Sequence, residues 1–178
     1  MKILKKILIA LGILIAIPLI LALFMSKDYA LEREITINKP RQEVFDYVKY
    51  LKNQNNYSTW NMMDPQMKHS YTGTDGTVGF TAAWESEMMG NGEQEIKKLT
   101  EGARIDGELR FKGMFGSVAP VYMTTESVND STTTVKWGMH GHMAYPLNFM
   151  QVFMSMEEMI GKEYAKSLSN LKAILEKQ

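Results

Sequence analysis

Ser155-Met156-Glu157-Glu158-Met159-Ile160-Gly161-Lys162-Glu163-Tyr164-Ala165-Lys166-Ser167-Leu168-Ser169-Asn170-Leu171-Lys172-Ala173-Ile174-Leu175 is the stretch that decides the architecture. Ser155 and Glu158 have the spacing of a capping box, in which the two side chains satisfy orphan amides at a helix start. Behind them Met156, Ile160, Tyr164, Leu168, Leu171 and Leu175 recur at helical steps and form one apolar stripe. Lys162, Lys166, Ser169 and Lys172 cover much of the remaining surface. Gly161 costs such a helix about 1 kcal/mol relative to alanine, so the sequence predicts a sheet or a ligand close against it. A helix with one apolar stripe calls for a partner with one apolar face.

That partner lies upstream. From Met67 to Met143, period-two segments alternate with Asp75-Gly76, Asn91-Gly92, Glu101-Gly102 and Asn129-Asp130, residues that tolerate positive φ. Strands are predicted over 68–72, 78–86, 93–99, 103–111, 119–128 and 132–142, and consecutive tight reversals join them as an antiparallel meander. Gly113, Gly116 and Pro120 mark the loosest connection. A further strand over Glu34 to Asn38 leads through Pro40 into an amphipathic helix carrying Val44, Phe45, Val48 and Leu51. Residues 53–60 read as a broken helix at most, and 145–154 as a short helix or wrapped loop. The sum is an α+β domain, a curved antiparallel sheet wrapped around a long C-terminal helix. Such a sheet leaves a space that side chains need not fill.

At the other end, Ile7 to Met25 is an uncharged run behind Lys2, Lys5 and Lys6. About 20 apolar residues at roughly 1.5 Å each cross a hydrocarbon core about 30 Å thick. The lysines favour a cytoplasmic N-terminus with the remainder sent across. The run is long for a signal-peptide core and no small-x-small pair follows it, so an uncleaved anchor is expected. Pro18 is tolerable in such a helix. The expected division is a cytoplasmic segment 1–6, a transmembrane helix 7–25, a juxtamembrane linker 26–34 and a folded domain 35–178. The domain is expected on the outer, periplasmic side of the inner membrane.

Twenty basic and twenty acidic residues balance over the 178. Without the three leading lysines the remainder is mildly acidic, which argues against nucleic acid as a partner, since its binders need a dense basic face. The chain has no cysteine, which excludes a lipoprotein anchor. Its fifteen methionines suit adaptable apolar surfaces.

From about Glu34 to Leu175 the chain resembles the START/Bet v1-like (SRPBCC) superfamily, and within it the bacterial polyketide cyclase/dehydrase-like members. The likeness is carried by Ile35-Thr36-Ile37-Asn38-Lys39-Pro40 with Val44-Phe45, by Trp60 before Asp64-Pro65, and by Gly76 to Glu85. It continues in Gly90-Asn91-Gly92-Glu93 and in Trp137 to Asn148, with its Met143-Ala144-Tyr145-Pro146-Leu147-Asn148 segment. The resemblance implies the helix-grip fold and an apolar cavity between sheet and last helix. It implies no fixed catalytic motif and no cofactor, because such folds host carriers, receptors and cyclases alike.

The cavity is expected to be lined by Trp84, Leu109, Phe111, Met123, Trp137, Met139, Met156, Ile160 and Tyr164. Met114, Met143, Met150 and Met154 are further candidates for its wall or mouth, with ordinary core packing as the plainer role. Trp60, Trp84, Trp137, Tyr122 and Tyr145 can stack on a flat ligand or simply fill the core. His140 and His142 share one face of a strand while Met139 and Met143 share the other, and no third ligand stands beside the histidines, so no metal is expected. Glu85, Glu95, Asp106, Glu108 and Glu126 fall on strands, and Glu108 with Arg110 reads as a surface or rim ion pair. No Ser-His-Asp order or cysteine nucleophile is present, so no catalytic residue is assigned.

The expectation is therefore a membrane-tethered domain binding a hydrophobic small molecule, lipid, isoprenoid or quinone-like, in that cavity. Two alternatives remain: a cyclase or dehydrase acting on an apolar substrate, and a non-catalytic envelope interaction module with a filled core.

Overall fold

The computed structural model describes residues 2–113, 116–153 and 155–177, and for Met156 the backbone only. The order is α1 (Lys2–Phe24), β1 (Asp28–Ile37), α2 (Arg41–Val48), a 3-10 turn (Leu51–Asn53), α3 (Gln54–Tyr57) and α4 (Thr59–Met63). Then come β2 (Lys68–Thr72), β3 (Thr81–Glu85), β4 (Asn91–Thr100), β5 (Arg104–Lys112), β6 (Val118–Asn129) and β7 (Thr132–His142). A 3-10 helix (Leu147–Val152) and α5 (Met156–Leu175) follow.

The seven strands form one antiparallel sheet in the order β1-β7-β6-β5-β4-β3-β2. β2 to β7 are the expected meander, and β1 closes beside the last strand, so α2 to α4 carry the chain from one edge of the sheet to the other. Register shifts at Ile96/Lys98 on β4 and Ser127/Asn129 on β6 are bulges, which bend strands and increase their twist. α5 lies against the concave face. Its Leu168, Leu171 and Leu175 are fully buried, about 1.5–3 kcal/mol each, against a floor that includes Ile37, Ile96 and Val135. Ser155 accepts from the Glu158 amide as the capping box predicts. Ser167 of α5, also buried, accepts from the Thr59 amide at 2.9 Å and so ties α4 to α5.

Two expectations need correction. β1 begins at Asp28, so most of the segment read as a linker is strand, paired with β7 from Asp28↔His142 onward. Arg33 hid this, because it puts a charge on the inward-facing phase of the strand. Its guanidinium escapes across the sheet edge to Glu157 of α5 at 3.0 Å and lies where a Cβ on Gly161 would be. The close approach that Gly161 predicts is therefore made by β1. The β3–β4 reversal, second, is made by residues 86–90 with Gly90 at φ 75°, and Asn91-Gly92 already belongs to β4.

Helix α1 is exposed along nearly all its length, and it is long and apolar enough to cross a membrane.

Candidate functional site

Between the concave face and the helices lies a cavity of about 240 Å³. Its position follows from register. His69 of β2 pairs with Trp84 of β3, Trp84 with Gly92 of β4, and Gly92 with Phe111 of β5, so these residues form one row across four strands. The row crosses one end of the sheet, where β5 ends, β6 and β1 begin and β7 ends. Phe111 and His69 are exposed at this row and mark the mouth. Gly92 is a glycine for a steric reason: the ring of Trp84 occupies the space a Cβ would take.

The inner wall is aromatic. Trp137 of β7 stacks on Tyr164 of α5, and Trp60 of α4 meets Tyr164 edge-on with centroids 5.4 Å apart. Burial pushes the Tyr164 phenol above its ordinary pKa. Tyr57 packs edge-on against Trp137 behind this wall, fully buried, and its phenol is raised for the same reason.

Of the sequence-predicted lining, Trp84, Leu109, Phe111, Trp137, Met139, Ile160 and Tyr164 all line the cavity. Met123 does not. It is buried farther from the mouth, beside an adjoining gap of about 10 Å³ that it lines with Ile105 and Val121. The side chain of Met156 lies outside the described residues, as do Met114 and Met154. Met143 and Met150 do not line it, whereas Met67 and Met89, which sequence reasoning passed over, do. Tyr122 is turned to the outer face, hydrogen-bonded to Glu32 and capped by the Arg104 guanidinium, and Tyr145 is exposed away from the cavity.

The polar lining was also missed. Asn61 donates to Asn55, and Asn55 donates to the Tyr71 hydroxyl, so these amides are engaged. Gln54 of α3 and Gln94 of β4, both half-buried, line the same cavity. Gln94 has the inward phase of Gly92 and Ile96, two residues to either side, and its Nε2 lies over Gly107 of β5. That phase was the available signal.

The strand carboxylates go elsewhere. On the outer face Arg110 bonds Glu93 and Glu95 at 2.8 Å and Glu108 at 2.6 Å, which extends the predicted Glu108–Arg110 pair to three acids. These bonds hold Arg110 above its ordinary range, with Glu93 the largest cause. Glu93 is held low first by Lys112 and then by Arg110, and Glu95 first by Arg110 and then by Lys97. Asp106 pairs with Arg104, and Glu126 with Lys136. Glu85 is exposed. None of the five candidate carboxylates lines the cavity. His142 is not without an acidic neighbour: β1 brings Asp28 to 2.6 Å of its Nδ1. Among the described residues no group of three such side chains is placed to hold a metal ion.

No family model matches the chain, and no curated protein matches it in sequence. Solved structures match it in shape. A protein from Nitrosospira multiformis is 16% identical with a TM-score of 0.60, over 82% of this chain and 94% of that one. Norcoclaurine synthase from Thalictrum flavum, solved with dopamine and hydroxybenzaldehyde, is 12% identical with a TM-score of 0.60, over 85% of this chain and 88% of that one. Ara h 8.0201 is 11% identical with a TM-score of 0.59, over 85% and 99%. At these identities the likeness is one of fold, an α+β helix-grip with a seven-stranded antiparallel sheet against a C-terminal helix.

Proposed function

We propose that this chain is a membrane-tethered binding protein for a neutral, largely apolar small molecule. The observation that carries the reading is the cavity, apolar and aromatic on most sides, with the Gln54 and Gln94 amides in its lining. Two amides recognise a carbonyl or hydroxyl, and a lining without carboxylate, lysine or arginine selects against a charged headgroup inside. The volume lies just below the roughly 300–1,000 Å³ of drug-sized sites. It suits one or two rings, or part of an isoprenoid or acyl chain, with the rest protruding at Phe111 and His69. Quinone-like compounds and isoprenoid alcohols have that chemistry.

Helix α1 is taken as the anchor. Its last turn is bonded into the domain, which supports retention over cleavage, and the lysines favour the outer face of the inner membrane for the domain. Tethering holds the site at high local concentration of a ligand that partitions into lipid. The segments quoted above support reading the chain as one of the bacterial polyketide cyclase/dehydrase-like members. Binding is favoured over acid–base turnover because no pair of carboxylates converges in the cavity. The hollow itself speaks against an interaction module with a filled core.

The test is occupancy. Full-length protein in nanodiscs should bind the neutral probe N-phenyl-1-naphthylamine with a rise in its fluorescence, and organic extracts should contain a co-purifying neutral lipid. Ala82→Trp, which fills the cavity, should abolish both. Equal probe binding by wild type and Ala82→Trp would sink the proposal.

A further inference from the structure

The C-terminal turn of α1 is built into the domain. Asn148, fully buried, donates its side-chain amide to the carbonyl oxygens of Ala22 at 2.7 Å and Met25 at 3.2 Å. These belong to the final carbonyls that a helix leaves without intrahelical partners. Gln151 donates to the Ser26 carbonyl at 3.1 Å, and the Met143 amide to that of Lys27 at 2.7 Å. Ala22 is the buried residue of α1.

The segment that makes these bonds turns its other side outward. Leu147, Met150, Val152 and Phe153 are 39%, 46%, 56% and 76% exposed. The whole run Tyr145-Pro146-Leu147-Asn148-Phe149-Met150-Gln151-Val152-Phe153 contains no charged residue. Depth follows from the hydrogen bonds. A side chain bonded to the Ala22 carbonyl lies level with Ala22, about 4–5 Å along the helix axis before Met25. When Ile7 to Met25 fills the hydrocarbon, that level is the boundary of headgroups and acyl chains. Amphipathic segments bury an apolar face there, roughly 5–10 Å deep.

We infer that Leu147–Phe153 is an interfacial segment whose exposed apolar side chains sit in the bilayer surface beside α1. The inference rests on the reading of α1 as a membrane span and extends it: the domain is held with one fixed end toward the lipid. Asp28 and His142 lie at that end, and so does the row from His69 to Phe111, so the cavity mouth faces the bilayer surface.

The chain lacks cysteine, so single cysteines can be spin-labelled without background. Full-length Leu14→Cys, Met150→Cys, Phe153→Cys and Thr72→Cys variants would be reconstituted in phosphatidylethanolamine–phosphatidylglycerol vesicles. Relaxation by oxygen, which concentrates in lipid, would be compared with relaxation by a water-soluble nickel chelate. The label at position 14 should read deep lipid and that at 72 water. Labels at 150 and 153 should show an oxygen-to-nickel ratio several-fold above that at 72. If 14 reads lipid while 150 and 153 read like 72, the interfacial segment is refuted and the anchor stands. If 150 and 153 are shielded from both reagents, protein covers the segment and the inference fails. If 14 also reads water, the anchor fails and the inference with it.

Discussion

The indole of Trp137 on β7 and the phenol of Tyr164 on α5 stack with centroids 4.4 Å and planes 23° apart. This contact joins the sheet to the helix it grips and also forms a wall of the cavity, so under the proposed function it serves stability and binding together. Trp137→Ala should cost about 3–5 kcal/mol, the range for deleting a buried aromatic ring, read as a lower urea midpoint. Tyr164→Phe keeps the ring and should cost under about 1 kcal/mol. If Trp137→Ala unfolds at the wild-type midpoint, the stack does not hold the helix to the sheet.

Gly92 gives a second, more local prediction. A methyl group there meets the Trp84 ring and lies 2.9 Å from the Arg110 carbonyl oxygen, so the ring has to leave its bed. Gly92→Ala should destabilise by about 1–3 kcal/mol, as overpacking does, and weaken N-phenyl-1-naphthylamine binding by narrowing the mouth. Unchanged probe affinity in a folded Gly92→Ala protein would remove Trp84 from the binding site.

The outer-face charges predict a pH dependence. Glu93 and Glu95 have folded-state pKa values below their ordinary values, because of Lys112, Arg110 and Lys97. A depressed carboxylate contributes stability above its unfolded pKa, about 4.3, and loses it as pH falls through the folded value. The thermal midpoint should therefore drop between about pH 4.3 and more acidic values. Arg110→Met, which removes the shared partner, should flatten that drop. Thermal scans of both proteins across the acid range decide it, and parallel curves would show that Arg110 does not stabilise these acids.

The architecture was legible because its patterns are local. The α5 stripe, the Ser155 cap and the reversals at Gly76, Gly102 and Asp130 each depend on a few neighbouring residues. β1 was read short because Arg33 occupies an inward phase and only the fold shows it passing over Gly161. The apolar part of the cavity could be read by phase, as Leu109 and Phe111 alternate along one strand. Met123 has the inward phase as well, but phase gives the face of a sheet and not the position along it, and the hollow lies nearer the other end of β6. Gln94 was missed because a polar side chain in an alternating strand is assigned to water by default, and Gln54 because residues 53–60 read as a broken helix at most. Their inward placement depends on Gly107 and on the crossing of α3.

Only Met25, Ser26 and Lys27 stand between α1 and β1, and the carbonyls of all three accept hydrogen bonds from the domain. So short and occupied a joint has little freedom to swivel. With α1 as the proposed anchor, whatever lean it adopts is passed to the sheet as a lever passes rotation, and a thinner or thicker bilayer is expected to change the domain's posture.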